Sequence, residues 1–190
     1  MTYRNVIRLA AAGMVFCACQ SDSYKIKGYA SQLKDGDTIT LTLEDQQQKI
    51  LGQTLISEGA FALSGTTDTT VFCRAYLNSN PLSSVSFFLE PGNITIELNP
   101  YPKQSRVSGT VMNNEWQKLN DQVQVLGDKL IKLAEESAKT DVTENRRKLQ
   151  SMVDSLHREI SGCIKSTAQR NKDNVLGKYI EDNYKEPEFK

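Results

Sequence analysis

From Tyr24 to about Val111 the apolar residues of this chain recur at every second position. Ile39, Leu41 and Leu43 alternate with Thr38, Thr40 and Thr42. Phe61 and Leu63 alternate with Ala60, Ala62 and Ser64, and Ile94 and Ile96 with Thr95 and Glu97. Side chains on a strand point to opposite faces in turn, so this period describes strands with one face on a core, the habit of antiparallel sheets. Turn residues fall between the runs. Asp35-Gly36-Asp37 separates the first run from the second, and Glu58-Gly59 joins Leu55-Ile56 to Phe61. Glu90-Pro91-Gly92-Asn93 puts proline and then glycine where a type II turn needs a fixed negative φ and then a positive one. About eight short strands at spacings of roughly ten residues predict a β-sandwich or an open barrel.

At Asn113 the period lengthens. Trp116, Leu119, Val123, Leu126, Leu130 and Leu133 recur at spacings of three and four, a narrow stripe on a long helix that starts from Asn113 or Asn114 as cap. The stripe decays at Ser137-Ala138-Lys139-Thr140. A second helix opens at Asp141, with Glu144 in the capping-box place. Leu149, Val153, Leu156, Ile160 and Cys163 form its stripe, widened by Met152 and Ile164. So short a link folds two amphipathic helices back as an antiparallel hairpin. The stripes have a competing use as a seam for a partner or a second copy, but they run for only about three heptads and each has its complement in the same chain. A short helix from Asn174 to Tyr184 offers Val175, Leu176, Tyr179 and Ile180.

The predicted class is therefore α+β: an antiparallel β-sandwich or open barrel over residues 24–111, then an antiparallel α-helical hairpin and short C-terminal helix over 112–184, with a tail at 185–190.

The first residues follow neither period. Arg4 and Arg8 precede the apolar run Leu9 to Cys17, and Ala18-Cys19 leads into polar Gln20-Ser21-Asp22-Ser23. That order describes a secretory signal peptide over residues 1–18. Nine apolar residues span about 14 Å as a helix, roughly half a hydrocarbon core, which is too short to cross a membrane. A cysteine after alanine at the cut resembles the lipobox of bacterial lipoproteins. The resemblance implies that Cys19 is acylated and becomes the first residue, with 19–23 as a short tether. Cys17, directly after bulky Phe16, is the poorer acceptor. Gln20 and Ser21 resemble outer-membrane sorting, with the leaflet left open.

Composition narrows the remaining classes. Loss of residues 1–18 leaves 172 of 190 residues, with 21 Lys and Arg against 23 Asp and Glu. No basic block offers the electrostatic footprint of a nucleic-acid binder. Cys73 and Cys163 are the other cysteines of the body. Both sit at apolar positions, which favours two buried thiols, although a bridge between them stays open. The single His157 lies among Asp154, Arg158 and Glu159 and has no second histidine to complete a metal site. Gly-x-Ser-x-Gly, phosphate-loop and dinucleotide patterns are all missing. No catalytic residue, cofactor or metal is expected, and Trp116 reads as a core anchor.

Three segments, Phe61-Ala-Leu-Ser-Gly65, Phe87-Phe-Leu-Glu-Pro-Gly-Asn-Ile-Thr-Ile-Glu-Leu98 and Ser108-Gly-Thr-Val-Met-Asn-Asn-Glu-Trp116, resemble the domain of unknown function 4369. That family occurs in Bacteroidetes envelope proteins, usually N-terminal to the thioredoxin-like module of thiol-disulfide oxidoreductases. The likeness covers about Tyr24 to Asn120, and the helical stretch to Tyr184 resembles the spacer before that module. The module's redox pair has no counterpart here, so its activity carries over to no residue. The expectation is a lipid-anchored cell-envelope protein, of the outer membrane by its sorting residues, that acts as a non-catalytic binding or interaction module for another envelope protein or a peptide. The alternative is an accessory of an envelope thiol-disulfide redox system with a separate thioredoxin-like partner. Oligomeric state is not legible.

Overall fold

The computed structural model describes residues 22–138 and 143–184. The leader with Cys19, the Asp141 cap and the tail at 185–190 lie outside the described residues. Eight strands come first: β1 (Ser23–Tyr29), β2 (Thr38–Leu43), β3 (Ile50–Leu55), β4 (Ala60–Thr66), β5 (Val71–Leu77), β6 (Asn80–Leu89), β7 (Gly92–Glu97) and β8 (Arg106–Ser108). Three helices follow: α1 (Val111–Ala138), α2 (Thr143–Arg170) and α3 (Val175–Asn183). The strands form two four-stranded sheets, in the orders β4-β1-β7-β8 and β3-β2-β5-β6. The α+β class holds, and the sheets are open rather than closed into a barrel.

One pairing departs from the antiparallel expectation. β1 and β7 run parallel, with Tyr24 opposite Gly92 and Tyr29 opposite Glu97. The cause is the turn after Glu90. It does not fold β6 back on itself but carries the chain from one sheet to the other, laying β7 beside β1 in the same direction. Gly92 supplies the positive φ of 128° that this change of sheet uses. Asp35-Gly36-Asp37 likewise sends the chain from β1 into the second sheet.

Alternation places the core between the sheets. Ile26, Phe61, Ile94, Ile96 and Val107 of the first sheet meet Ile39, Leu41, Cys73, Ala75, Leu77, Val85, Phe87 and Leu89 of the second in one apolar cluster. The threonines of β2 are not on a wet face as their alternation suggests. Thr40 and Thr42 are buried, and their hydroxyls are satisfied by neighbours: Thr40 donates to Asn78 Oδ1 at 2.6 Å and accepts from Gln53 Nε2 at 2.8 Å.

β6 is apolar on both faces near its end because it has two things to cover. Phe87 faces the sandwich, while Phe88 points outward with Phe72 of β5 beneath the helices. Trp116 meets Phe88 edge-on at 5.9 Å between ring centres, and Tyr179 lies 4.1 Å from Phe72. Trp116 is the anchor expected of it, buried and donating from Nε1 to the Ser86 carbonyl at 2.9 Å.

The helix stripes pack as expected, with corrections at their edges. α1 begins at Val111, ahead of both predicted caps, and the Thr110 hydroxyl accepts from the Asn113 amide at 3.4 Å. Asn113 is not a cap but wholly buried, for a reason given below. Met152 faces solvent rather than widening the seam. The short helix expected from Asn174 forms as α3, capped by Asn174, whose side chain accepts from the Gly177 amide at 3.2 Å. Leu119, Val123, Cys163, Ile164 and Ala168 join the hairpin to the main core. Farther out, Leu126, Leu133 and Leu156 form a separate cluster containing no strand residue. The hairpin thus extends past the sheets as an arm. At 1.5 Å per residue each 28-residue helix is about 42 Å long.

Candidate functional site

The chemistry most exposed in a two-sheet body is that of its strand edges, where main-chain groups lack a neighbour. The two sides of this sandwich treat them differently. β6 and β8 end their sheets on the side where α1 runs. Asn113 Oδ1 accepts from the Phe88 amide at 2.9 Å, and its Nδ2 donates to the Phe88 carbonyl at 2.8 Å. Trp116 takes the Ser86 carbonyl, and Gln117 Oε1 accepts from the Val107 amide at 2.8 Å. Positions 113, 116 and 117 share one helix face, so α1 offers side chains where a further strand would offer backbone. Gln117 Nε2 also holds Asp121 Oδ1 at 2.8 Å, and Arg106 lies 2.6 Å from Asp121 Oδ2. Burial opposes ionisation of Asp121, but the hydrogen bonds from Arg106 and Gln117 and the guanidinium charge prevail and hold its pKa below the ordinary carboxylate value.

A cleft of about 600 Å³ opens beside this seal, lined among others by Tyr29, Thr95, Glu97, Arg106, Lys118 and Asp121. Two of its charges, Arg106 and Asp121, are spent on each other, and Glu97 lies 3.8 Å from Lys103 outside the cleft.

Among the described residues no such helix runs along the opposite side. β3 and β4 are joined through Glu58 and Gly59, both at positive φ, 53° and 68°. The Asp35 carboxylate accepts from both of their amides at 3.0 Å and pins the turn. Ser57 and Ala60 pair once, and the strands then part into different sheets, leaving β3 and β4 each with one strand neighbour. The Ala30 amide bonds the Gly59 carbonyl, and the Thr67 amide bonds the Asp22 carbonyl. By the alternation of an antiparallel ladder, Phe61, Leu63 and Gly65 turn their main-chain groups toward β1, whereas Ala62, Ser64 and Thr66 turn theirs away.

The residues singled out by chemistry are not assembled. Cys73 and Cys163 are both free thiols. Cys73 is fully buried, and burial, followed by the charges of Glu44 and Asp45, pushes its thiol up to about 12. Cys163 is partly buried against both apolar clusters. His157 is exposed on α2, and among the described residues no three His, Cys, Asp or Glu side chains gather as a metal group would. No described helix is long and apolar enough to cross a membrane. Asn113 and Gln117 carry more structural weight than any of these; sequence reasoning took Asn113 for a cap and passed over Gln117. Their signal was two amides flanking Trp116 on its own apolar stripe.

Two open sheets, one side sealed by a helix and the other left unsealed by the described residues, define an α+β module carrying a helical arm. Residues 24–116 match the model of a family described as Domain of unknown function (DUF4369), and that stretch of the chain is a domain of this family. The match ends at Trp116 and so includes Asn113 and Trp116, two of the three side chains that close the side of β6 and β8. No curated protein matches the chain.

Proposed function

We propose that this is a cell-envelope protein held to the membrane, in our reading the outer membrane, by acyl chains on Cys19, and that its body is a non-catalytic module binding another envelope protein or a peptide. The observation that carries the binding role is the inequality of the two sides. α1 satisfies main-chain groups of β6 and β8 with Asn113, Trp116 and Gln117, while β3 and β4 have no corresponding element among the described residues. Edges left open in a folded protein are where β-strand addition takes place. The anchoring role rests on the order of Arg4, the apolar run and Ala18-Cys19. One acyl chain binds a bilayer marginally and two or more bind it stably.

The buried Cys73 weighs against a redox accessory working through its own cysteines. Exchange needs a reachable thiolate, and this thiol is both covered and held protonated. The test has two arms. Wild-type protein partitions into detergent and yields an acylated Cys19 peptide by mass spectrometry, and Cys19→Ala moves to the aqueous phase. The purified protein gives no turnover of a disulfide substrate with dithiothreitol beyond the uncatalysed rate. Cys19→Ala remaining in detergent defeats the anchor, and measurable turnover defeats the non-catalytic role.

A further inference from the structure

We propose that β4 is the docking edge, taking up an extended segment of a partner polypeptide as a fifth strand of the β4-β1-β7-β8 sheet. This rests on the binding-module reading and names its surface and its ligand chemistry.

The two open edges are unequal. The pairing of β3 with β2 slips between Leu41 and Thr42, so Leu51 is an extra residue that interrupts the edge. β4 pairs with β1 over seven residues without a slip. Proteins protect such a strand with charge, proline or a bulge, and Ala60-Phe-Ala-Leu-Ser-Gly-Thr66 has none of these. Its outward-turned groups at Ala62, Ser64 and Thr66 belong to residues with small, exposed side chains, which leave room for a neighbouring strand.

The same geometry selects the occupant. Unpaired amides and carbonyls in alternation fit another extended backbone. Toward the mouth of the sandwich, where β3 and β4 part, Leu51 and Leu63 pack against the core but stay only partly buried. A segment beside β4 therefore gains by placing apolar side chains on its inner face and polar ones outside. A second copy of this chain fits less well. Stable interfaces bury about 1,200–2,000 Å², and two β4 edges facing each other would meet mainly through alanine, serine and threonine. A flexible segment brings its own large side chains to the mouth.

The probe is a capped peptide, Thr-Val-Thr-Val-Thr-Val-Thr, added at millimolar concentration to the acylated full-length protein in detergent micelles, with amide hydrogen exchange as the readout. Exchange at Ala62, Ser64 and Thr66 should slow at least tenfold. The fully N-methylated peptide, which has no donors, should leave it unchanged. Ser64→Pro removes an outward amide while sparing the β1 ladder, and should abolish the slowing at Ala62 and Thr66 with Phe61, Leu63 and Gly65 still protected. The N-methylated probe makes the same comparison without altering the protein. Unchanged exchange at β4, protection arising at Gln53 and Leu55 instead, or slowing that follows protein rather than peptide concentration overturns the assignment. A partner that still crosslinks to Ser64→Pro in intact envelopes defeats this edge alone and leaves the module reading standing.

Discussion

Replacing Asn113 by alanine strips the Phe88 amide and carbonyl of their partners in a space from which water is excluded. An unsatisfied buried polar group costs about 1–3 kcal/mol, so Asn113→Ala should destabilise the protein by about 2–4 kcal/mol in urea unfolding. Arg106→Ala breaks a shorter but half-exposed contact with Asp121 and should cost under about 1 kcal/mol. Cys73 gives a pH prediction. Its thiol rises from an ordinary 9.0 to about 12 in the folded protein. Below pH 9 both folded and unfolded chains keep the proton, and the thiol's contribution is fully present. Between pH 9 and 12 only the unfolded chain gives it up, so stability falls by up to about 1.4 kcal/mol per pH unit. Tyr179, also held up to about 12, chiefly by burial, adds to the same alkaline loss. Unfolding curves at pH 8 and 10.5 should therefore differ less for Cys73→Ala than for the wild type.

Among the elements, the arm is the weakest. Its cluster contains three buried residues, Leu126, Leu133 and Leu156, and no strand shares them. Leu133→Ala should cost about 2 kcal/mol, felt locally. Amide exchange over 126–136 and 146–160 should accelerate while β2 and β5 stay unchanged; equal acceleration in the strands would mean that arm and sandwich unfold as one. Element type was legible for a simple reason: period two and period 3.6 are direct projections of which face is buried. The start of α1 was not. Asparagine is a common cap, and only the buried main chain of Phe88 reveals that Asn113 has another use. Thr40 and Thr42 misled in the same way, since threonine on alternate positions looks alike on a wet face and in a satisfied polar layer.

At the scale of the molecule, alternation identified strands but not neighbours. Nothing in Tyr24–Tyr29 or Gly92–Glu97 announces a parallel pair, because each strand's own pattern is the same whichever way its partner runs. The Pro91-Gly92 turn was legible as a change of direction but not as a change of sheet, for its residues set a local bend and not the sheet that receives the chain. The candidate edge was legible only in part. The small, uncharged residues of β4 are plain in the sequence, but that β4 ends its sheet while β6 and β8 are sealed depends on where α1 lies.

β1 sits between two neighbours, antiparallel β4 over seven rungs and parallel β7 over six. A pull applied to the chain ahead of Ser23 runs lengthwise along it. Such a load shears all those rungs together instead of peeling them one at a time. The strand nearest the start of the body is thus the one best placed to bear tension, and a lengthwise pull from that end should meet more resistance than a pull that peels the ladders rung by rung.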